Sequence, residues 1–353
     1  MNLLASNNSI TDQPVIGITM GDPMGIGPEI IVKALDDPNL RKSAKFIIFG
    51  MEETLRYVAD KAEIEPFWKK CQHEKINRDF PCKVVVADYD DFTIPVWANK
   101  PSKEAGQASL KFCLDAIEAA QMHIIDAVVT APINKTCWNM AGATWPGHTE
   151  LFADKCKSPR KVMMFIAGNL KLALATIHEA LFEIRHKFTI GCVFEPIDLL
   201  NDALKEYFQI EKPNIAVAAL NPHAGENGQF GDEEHRIIEP AILLAQELGI
   251  NCSGPYPADS LFLKASHGQF DAVVAMYHDQ GMIPIKLLAD NAVNVTIGIP
   301  IIRTSPAHGT AFDIAGKNIA NPASMKAAIM TAIAMAKTKK ANQKNRVSQQ
   351  NAD

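Results

Sequence analysis

Three histidines each stand just beyond an apolar run: His178 in ATIHEA, His223 in NPHAGE and His278 in YHDQG. Neutral imidazole is a good ligand for zinc and its neighbours, and three protein nitrogens leave one coordination position open for substrate, as in catalytic rather than structural sites. One such histidine is more often a satisfied core or turn residue, but three at equivalent positions argue together. Asp259 in PADSLF and Asp279 beside His278 would orient imidazoles or bind a harder ion directly. The structural alternative for Asp259 is helix capping. His148 and Thr149 in WPGHTE open an apolar helical run, where a helix N-terminus, a hydroxyl and an imidazole make an anion or carboxylate site. A plain first helical turn would read the same. Lys286 in MIPIKLL, Asn294, and Arg303 in IIRTS would hold a phosphate by charge-assisted hydrogen bonds if they converge. Taken separately, the cations read as surface or snorkelling residues. No GxSxG elbow occurs and no Cys/His arrangement stands out, which disfavours hydrolysis through a covalent intermediate.

A second group of motifs offers backbone rather than side chains. Residues 308–322 read HGTAFDIAGKNIANP, with glycines and small polar residues that let a flat polar ligand approach main-chain N–H and C=O groups. A helix entry capped by Asp313 and Asn321 is the alternative on spacing alone. GDPMGIGPE at 21–29 opens a helix with Gly25, Gly27 and Pro28. It lacks both GxGxxG spacing and the Lys-Ser/Thr of a P-loop, so a tight turn with proline at the first helical position is an equal reading.

These residues need elements to position them. Short, near-continuously apolar runs end in Gly, Pro or Asn at 14–20, 45–50, 82–88, 126–132, 161–167, 170–176, 214–220, 271–277 and 294–300. They alternate with segments of helical period at 28–35, 52–62, 103–123, 196–208, 233–248 and 324–337. That alternation predicts an α/β protein with a largely parallel sheet covered on both faces. Ligands of such sheets gather at the carboxyl ends of strands, where GDP, INK, His178, NPHAGE and HDQG fall.

With 353 residues and 47% apolar composition the chain can build two domains. A formal charge of −5 gives no footprint for nucleic acid, so an anionic ligand needs a local cluster of cations. Seven scattered cysteines (71, 82, 113, 137, 156, 192 and 252) without a CxxC pair read as reduced thiols, not as a disulfide frame or zinc knuckle. The opening MNLLASNNSITD has no signal-peptide pattern, and no run of 18 apolar residues occurs. The expectation is a soluble cytoplasmic protein with no membrane partner. The polar end of the chain, 341–353, is expected to be a disordered tail.

The stretch 308–322 resembles the adenosine-binding loop of the isopropylmalate and isocitrate dehydrogenases, departing at Thr310, Phe312 and Asn318. The ordered set GDPMGIGPEI, TAPINK, GHTE, NPHAGE, PADS, YHDQG, PIK and RTSxxHGTAxDIAGK is similar across almost the whole chain to the 4-hydroxythreonine-4-phosphate dehydrogenase (PdxA) family of vitamin B6 biosynthesis. Met24, Asn227, Ser260 and Asn318 stand where that family usually has Ala, Gly, Thr and Gly. The resemblance implies an isocitrate/isopropylmalate dehydrogenase-like fold of two α/β/α lobes with a cleft between them. Residues 1–130 plus 290–340 are expected to form the lobe with the cofactor loop, and 131–289 the lobe with the metal histidines and a dimer interface.

The activity implied is NAD- or NADP-dependent oxidation of 4-phosphooxy-L-threonine to a 3-oxo acid, which decarboxylates to 3-amino-2-oxopropyl phosphate. Dehydrogenation of 4-phospho-D-threonate or 4-phospho-D-erythronate is the alternative within the family; a non-catalytic metal- or nucleotide-binding protein is the alternative outside it. By matching motif, His178, His223 and His278 bind the metal, with zinc expected and magnesium or cobalt as substitutes. His148, Thr149, Lys286, Asn294 and Arg303 contact the substrate, and His308, Gly309, Thr310, Ala311, Asp313 and Asn318 the dinucleotide. Asp259, Asp279 and Lys135 are candidates for proton transfer. The resemblance also implies a homodimer whose sites draw metal ligands from both subunits.

Overall fold

The computed structural model describes residues 13–94 and 100–350, so the opening dodecapeptide and the last three residues of the expected tail lie outside it. The chain divides into two compact units, one comprising residues up to Thr144 with His308–Lys340, the other Trp145–Ala307 with the segment from Ala341 onward.

In the first unit β1 (Val15–Thr19) pairs in parallel with β2 (Lys45–Gly50) and β5 (Ala127–Thr130). Outward from β2 lie β4 (Val84–Asp88) and β3 (Lys69–Gln72), also parallel. All residues of β1, β4 and β5 are buried, as strands sandwiched on both faces must be. Complete burial of Ile16 and Ile18 contributes roughly 1.5–3 kcal/mol each. β3 was not expected: KKCQ is an exposed edge strand, and an edge tolerates lysines that a central strand would not.

The second unit is mixed. β12 (Ile302–Pro306), β11 (Val293–Ile297), β6 (Val162–Ala167) and β7 (Leu170–Leu174) run antiparallel in that order. β7 then continues in parallel through β10 (Ala272–Ala275), β8 (Ile215–Ala218) and β9 (Cys252–Tyr256). Its core gathers Leu172, Leu174, Val273, Ala275, Leu261 and Ile285.

Two boundaries differ from expectation. Residues 131–144 stay with the first unit because the helix Lys135–Met140 packs on the helix Lys103–Gln121, Trp138 Nε1 donating to Ser109 Oγ at 3.0 Å. β11 and β12, expected in the first lobe, join the second, since β11 pairs along β6. The expected tail continues the last helix, Ala323–Gln350. Its second half holds no Gly or Pro and is rich in Lys and Gln, residues that helices favour. Asn342 Nδ2 also donates to Glu206 O at 3.0 Å.

The helix expected from Pro196 starts earlier, at Ile190, because the Thr189 side chain accepts from Cys192 N and caps it.

Candidate functional site

The two backbone motifs meet in the first unit. Ile26 N donates to Thr310 O at 2.9 Å, and a Cβ on Gly25 would lie 3.0 Å from Thr310, so the glycine permits this approach. Buried Glu29 accepts from Ala320 N at 2.7 Å and pairs with Lys33 at 2.8 Å. Lys33 Nζ donates on to the carbonyls of Asn318 and Ala320, at 3.0 and 3.3 Å. Asn318 has φ 57, the left-handed region that asparagine tolerates best after glycine. Its Nδ2 donates to Lys61 O at 3.0 Å. Asn318 thus both holds the bend and adds a tether. His308, Thr310 and Ala311 are half-buried along the loop, whereas Gly309 and Asp313 are exposed. Lys135, one proton-transfer candidate, lies exposed at the start of its helix in this unit.

In the second unit His178 follows β7 and His278 follows β10, and parallel pairing of those strands brings the imidazoles together with ring centroids 5.9 Å apart. They line a cavity of about 290 Å³ with Glu179, Leu181, Ile184, Tyr277 and Asp279. Asp279 Oδ1 lies 2.7 Å from His278 Nδ1. That bond leaves Nε2 of His278 as the nitrogen available to a cation, the arrangement that orients metal-binding imidazoles. An exposed histidine, His178, and a half-buried one, His278, the latter oriented by a carboxylate, therefore fit a divalent cation as a donor set.

His223 is not grouped with them within one chain. Among the described residues the one trio of His, Cys, Asp or Glu whose ligand atoms all lie within 4.8 Å of one another is His73, Glu74 and Asp91, in the first unit. His223 instead sits on a left-handed turn in which residues 223–227 all have φ between 40 and 75, with its ring 6.2 Å from Phe230. Four of these five are not glycine, and each costs about 1–2 kcal/mol in that conformation. Asp259 is exposed in the first turn of the helix Ala258–Ser266, where it accepts from Ser260 N at 2.9 Å; the capping position is Pro257, which has no side-chain cap bond, so the helix-capping alternative is not met.

Two of the anion-binding candidates, Asn294 and Arg303, lie on paired strands of the second unit. Cross-strand pairing sets Asn294 opposite Ser305 and Thr296 opposite Arg303. Residues at i and i+2, and their direct partners, share a face, so all four project together. Arg303 is 3% exposed, donates to Thr296 Oγ1 at 3.2 Å and lies over the Phe152 ring. Phe152 belongs to the helix His148–Lys155, in whose first turn Thr149 is buried. His148 Nε2 is buried although the residue as a whole is half-exposed. Burial, and secondarily the Arg303 charge, hold the His148 pKa well below its ordinary value of 6.5. The buried Oδ1 of Asn294 has no hydrogen-bond partner among the described residues, which marks an amide awaiting a ligand group. Lys286 is exposed, its Nζ donating to Ala307 O at 2.6 Å just beyond β12.

A neutral His148 has a measurable consequence. Below pH 6.5 the unfolded chain takes up a proton there that the folded chain refuses, so this residue's share of stability is lost as pH falls through 6.5. His148→Gln should flatten the acid limb of denaturation midpoints recorded between about pH 6.5 and 5. An unchanged limb would show that His148 titrates alike in both states.

A model of the family described as "Pyridoxal phosphate biosynthetic protein PdxA" matches residues 42–332. The chain belongs to the PdxA family. It is 42% identical over 346 residues to 4-hydroxythreonine-4-phosphate dehydrogenase of Desulforapulum autotrophicum, covering 95% of this chain and 99% of the relative. It is equally 42% identical, over 326 residues, to D-threonate 4-phosphate dehydrogenase of Salmonella typhimurium, covering 91% and 98%. The crystal structure of the Klebsiella pneumoniae 4-hydroxythreonine-4-phosphate dehydrogenase superposes with a TM-score of 0.83 at 36% identity, covering 94% of this chain and 100% of that one. The relatives' names make this PdxA chain an oxidoreductase. Among its described residues no helix is long and apolar enough to cross a membrane.

Thr296, whose hydroxyl accepts from Arg303, is a residue of this candidate site that sequence reading does not single out in this PdxA chain. Its signal was its place two residues after Asn294 in NVTIG, on the same strand face. Only the antiparallel register with β12 gives that place meaning.

Proposed function

We propose that this protein oxidises the secondary alcohol of 4-phosphooxy-L-threonine with NAD or NADP. The 3-oxo acid formed loses CO2 to give 3-amino-2-oxopropyl phosphate, a step toward pyridoxal 5'-phosphate. The observation that carries this reading is the polar face of β11 and β12, where buried Arg303 lies beside His148 and the Asn294 amide oxygen is unmatched, a set of groups that a phosphorylated, hydroxylated substrate would satisfy.

In this reading Arg303 holds the phosphate through its planar fork, Lys286 adds charge at the strand end, and His148 and Thr149 take a second polar group. The loop 308–322 cradles the dinucleotide's adenosine, with Asn318 at its outer bend. His178, His223 and His278 hold a divalent cation, zinc by donor type and magnesium or cobalt as substitutes. When bound, the dinucleotide accepts hydride, while the cation polarises the alcohol and the later keto oxygen. Asp279 keeps His278 in its tautomer, which leaves Asp259 or Lys135 to receive the alcohol proton.

A homodimer completes the site. Leu181 and Phe182 beside the histidine cavity are 61% and 87% exposed, and Ile283 and Leu287 on the helix after His278 are 59% and 82% exposed. An apolar rim of this kind around an incomplete ligand set fits a second copy of the chain.

The name of the Salmonella relative favours a second reading, oxidation of 4-phospho-D-threonate, with 4-phospho-D-erythronate as a further sugar acid of the same kind. These substrates share the phosphate and the alcohol and differ where the first carries an ammonium group. Assaying purified protein for reduced dinucleotide with each substrate, with Zn²⁺, Co²⁺ or Mg²⁺ added, decides between them. Turnover on the aminated substrate is expected. Faster turnover on the sugar acids would transfer the assignment, and a flat trace with every combination would leave a non-catalytic binding protein.

A further inference from the structure

The left-handed turn that carries His223 is closed at its far end by Gln229 N and Phe230 N, which donate to Glu226 O and Gly225 O, and the structure shows which side chain ties it to the preceding strand exit. Glu234 is 4% exposed and lies eleven residues further along the chain. Its Oε1 accepts from the main-chain N–H groups of Leu220 and Asn221 at 2.8 and 2.7 Å, and its Oε2 from Asn221 Nδ2 at 3.0 Å. Asn221 Nδ2 also donates to Glu233 Oε2 at 2.8 Å. The turn closes against the same carboxylate: a Cβ on Gly225, whose φ is +75, would come within 2.9 Å of Glu234 Oε2. Glu234 begins a short π-helical stretch, Glu234–Ile238, ahead of the regular helix Glu239–Glu247. Wide turns of that kind recur where a helix must aim one side chain.

We infer that Glu234 is a positioning residue for His223: its carboxylate fixes the strand exit Leu220–Asn221 and thereby the left-handed turn, so that the imidazole is presented ready for a cation. This rests on the reading of His223 as a metal ligand. A second tie serves the neighbouring loop. Gln280, buried two residues past His278, accepts from Met276 N and donates to Ala219 O, each at 2.7 Å. The exits of β8 and β10 are thus bridged by one side chain, and Glu234 fixes the chain immediately beyond β8. Glutamine at 234 would retain an oxygen for the two main-chain donors but set an NH2 group against Asn221 Nδ2, donor facing donor, and the turn would have to shift.

The test is titration of metal-free full-length protein with Co²⁺ alone, monitored by calorimetry and by the visible spectrum, with thermal midpoints recorded in parallel. Glu234→Gln should weaken Co²⁺ binding about 10- to 100-fold, the usual loss when a group supporting a ligand is altered, and change the spectrum of the bound ion. Asn221→Ala, which spares both main-chain bonds, should lose less, and it carries the test if the first variant does not fold. Glu52→Gln, at a buried acid of the first unit bonded to Trp68 and Arg56, controls for general destabilisation and should bind Co²⁺ like the parent. If His223→Ala weakens Co²⁺ binding while Glu234→Gln and Asn221→Ala bind as the parent does, the positioning role is overturned. If His223→Ala itself binds like the parent, the ligand reading falls and the inference with it.

Discussion

Arg303→Met should raise the KM for the phosphorylated substrate by roughly 30- to 4,000-fold, the equivalent of about 2–5 kcal/mol for removing one partner of a buried charged contact. kcat should change far less, because the side chain is proposed to grip a group remote from the reacting carbon. Methionine keeps an apolar stem over Phe152 and most of the packing, so the loss would report charge and hydrogen bonding rather than a collapsed core. Arg303→Lys should fall between the two: the charge survives but the fork that matches a phosphate does not. Steady-state kinetics with circular dichroism as a fold control provide the measurement. An unchanged KM in Arg303→Met would remove Arg303 from the substrate site and leave it a structural cation bonded to Thr296.

His278→Ala should abolish metal-dependent turnover and weaken Zn²⁺ or Co²⁺ binding by at least about 100-fold, since the proposed site would lose one of its three protein ligands outright. The fold should survive, since His278 is half-exposed and the start of its helix is anchored independently through Gln280. Asp279→Asn retains an acceptor for His278 Nδ1 but not its charge, so it should lose about 10- to 100-fold in metal affinity with turnover falling in proportion. Full activity in metal-stripped His278→Ala protein would end the metal assignment.

The sequence made some elements plain and hid others for physical reasons. β1, β2, β4, β8 and β10 are covered on both faces, and such strands must be runs of Val, Ile and Ala whatever the function. β12, IRTSP, is just as buried, yet three of its five residues are polar, Arg303 among them bonding across the sheet to Thr296, so hydropathy does not mark it. β9, CSGPY, holds a Gly-Pro pair that reads as a turn and is tolerated at a sheet edge. The helix His278–Leu288 runs through Pro284, which reads as a break.

The candidate site divides in the same way. Histidine, lysine and arginine after apolar runs announce chemistry by type, and strand pairing does bring His178 to His278 and Asn294 toward Arg303. Whether His223 joins them depends on a left-handed turn with a single glycine among residues 223–227, and no periodicity encodes that. Glu234 escaped notice because it acts on main-chain N–H groups, which every sequence has alike.

The stitching of the loop 308–322 onto residues 29–61 also dictates an order in time. Lys33 bonds to carbonyls 285 and 287 residues later, and Ala320 N to a carboxylate 291 residues earlier. The first unit is therefore discontinuous, whereas Trp145–Ala307 supplies the bulk of the second in one stretch. On a ribosome adding about 5–20 residues per second, Glu29 waits many seconds, with its buried position unfilled, before its partner emerges. Nascent chains usually complete their N-terminal domain first; here Trp145–Ala307 should approach its finished form before the first unit does, and residues 29–61 should be closed only by the loop 308–322 made after it.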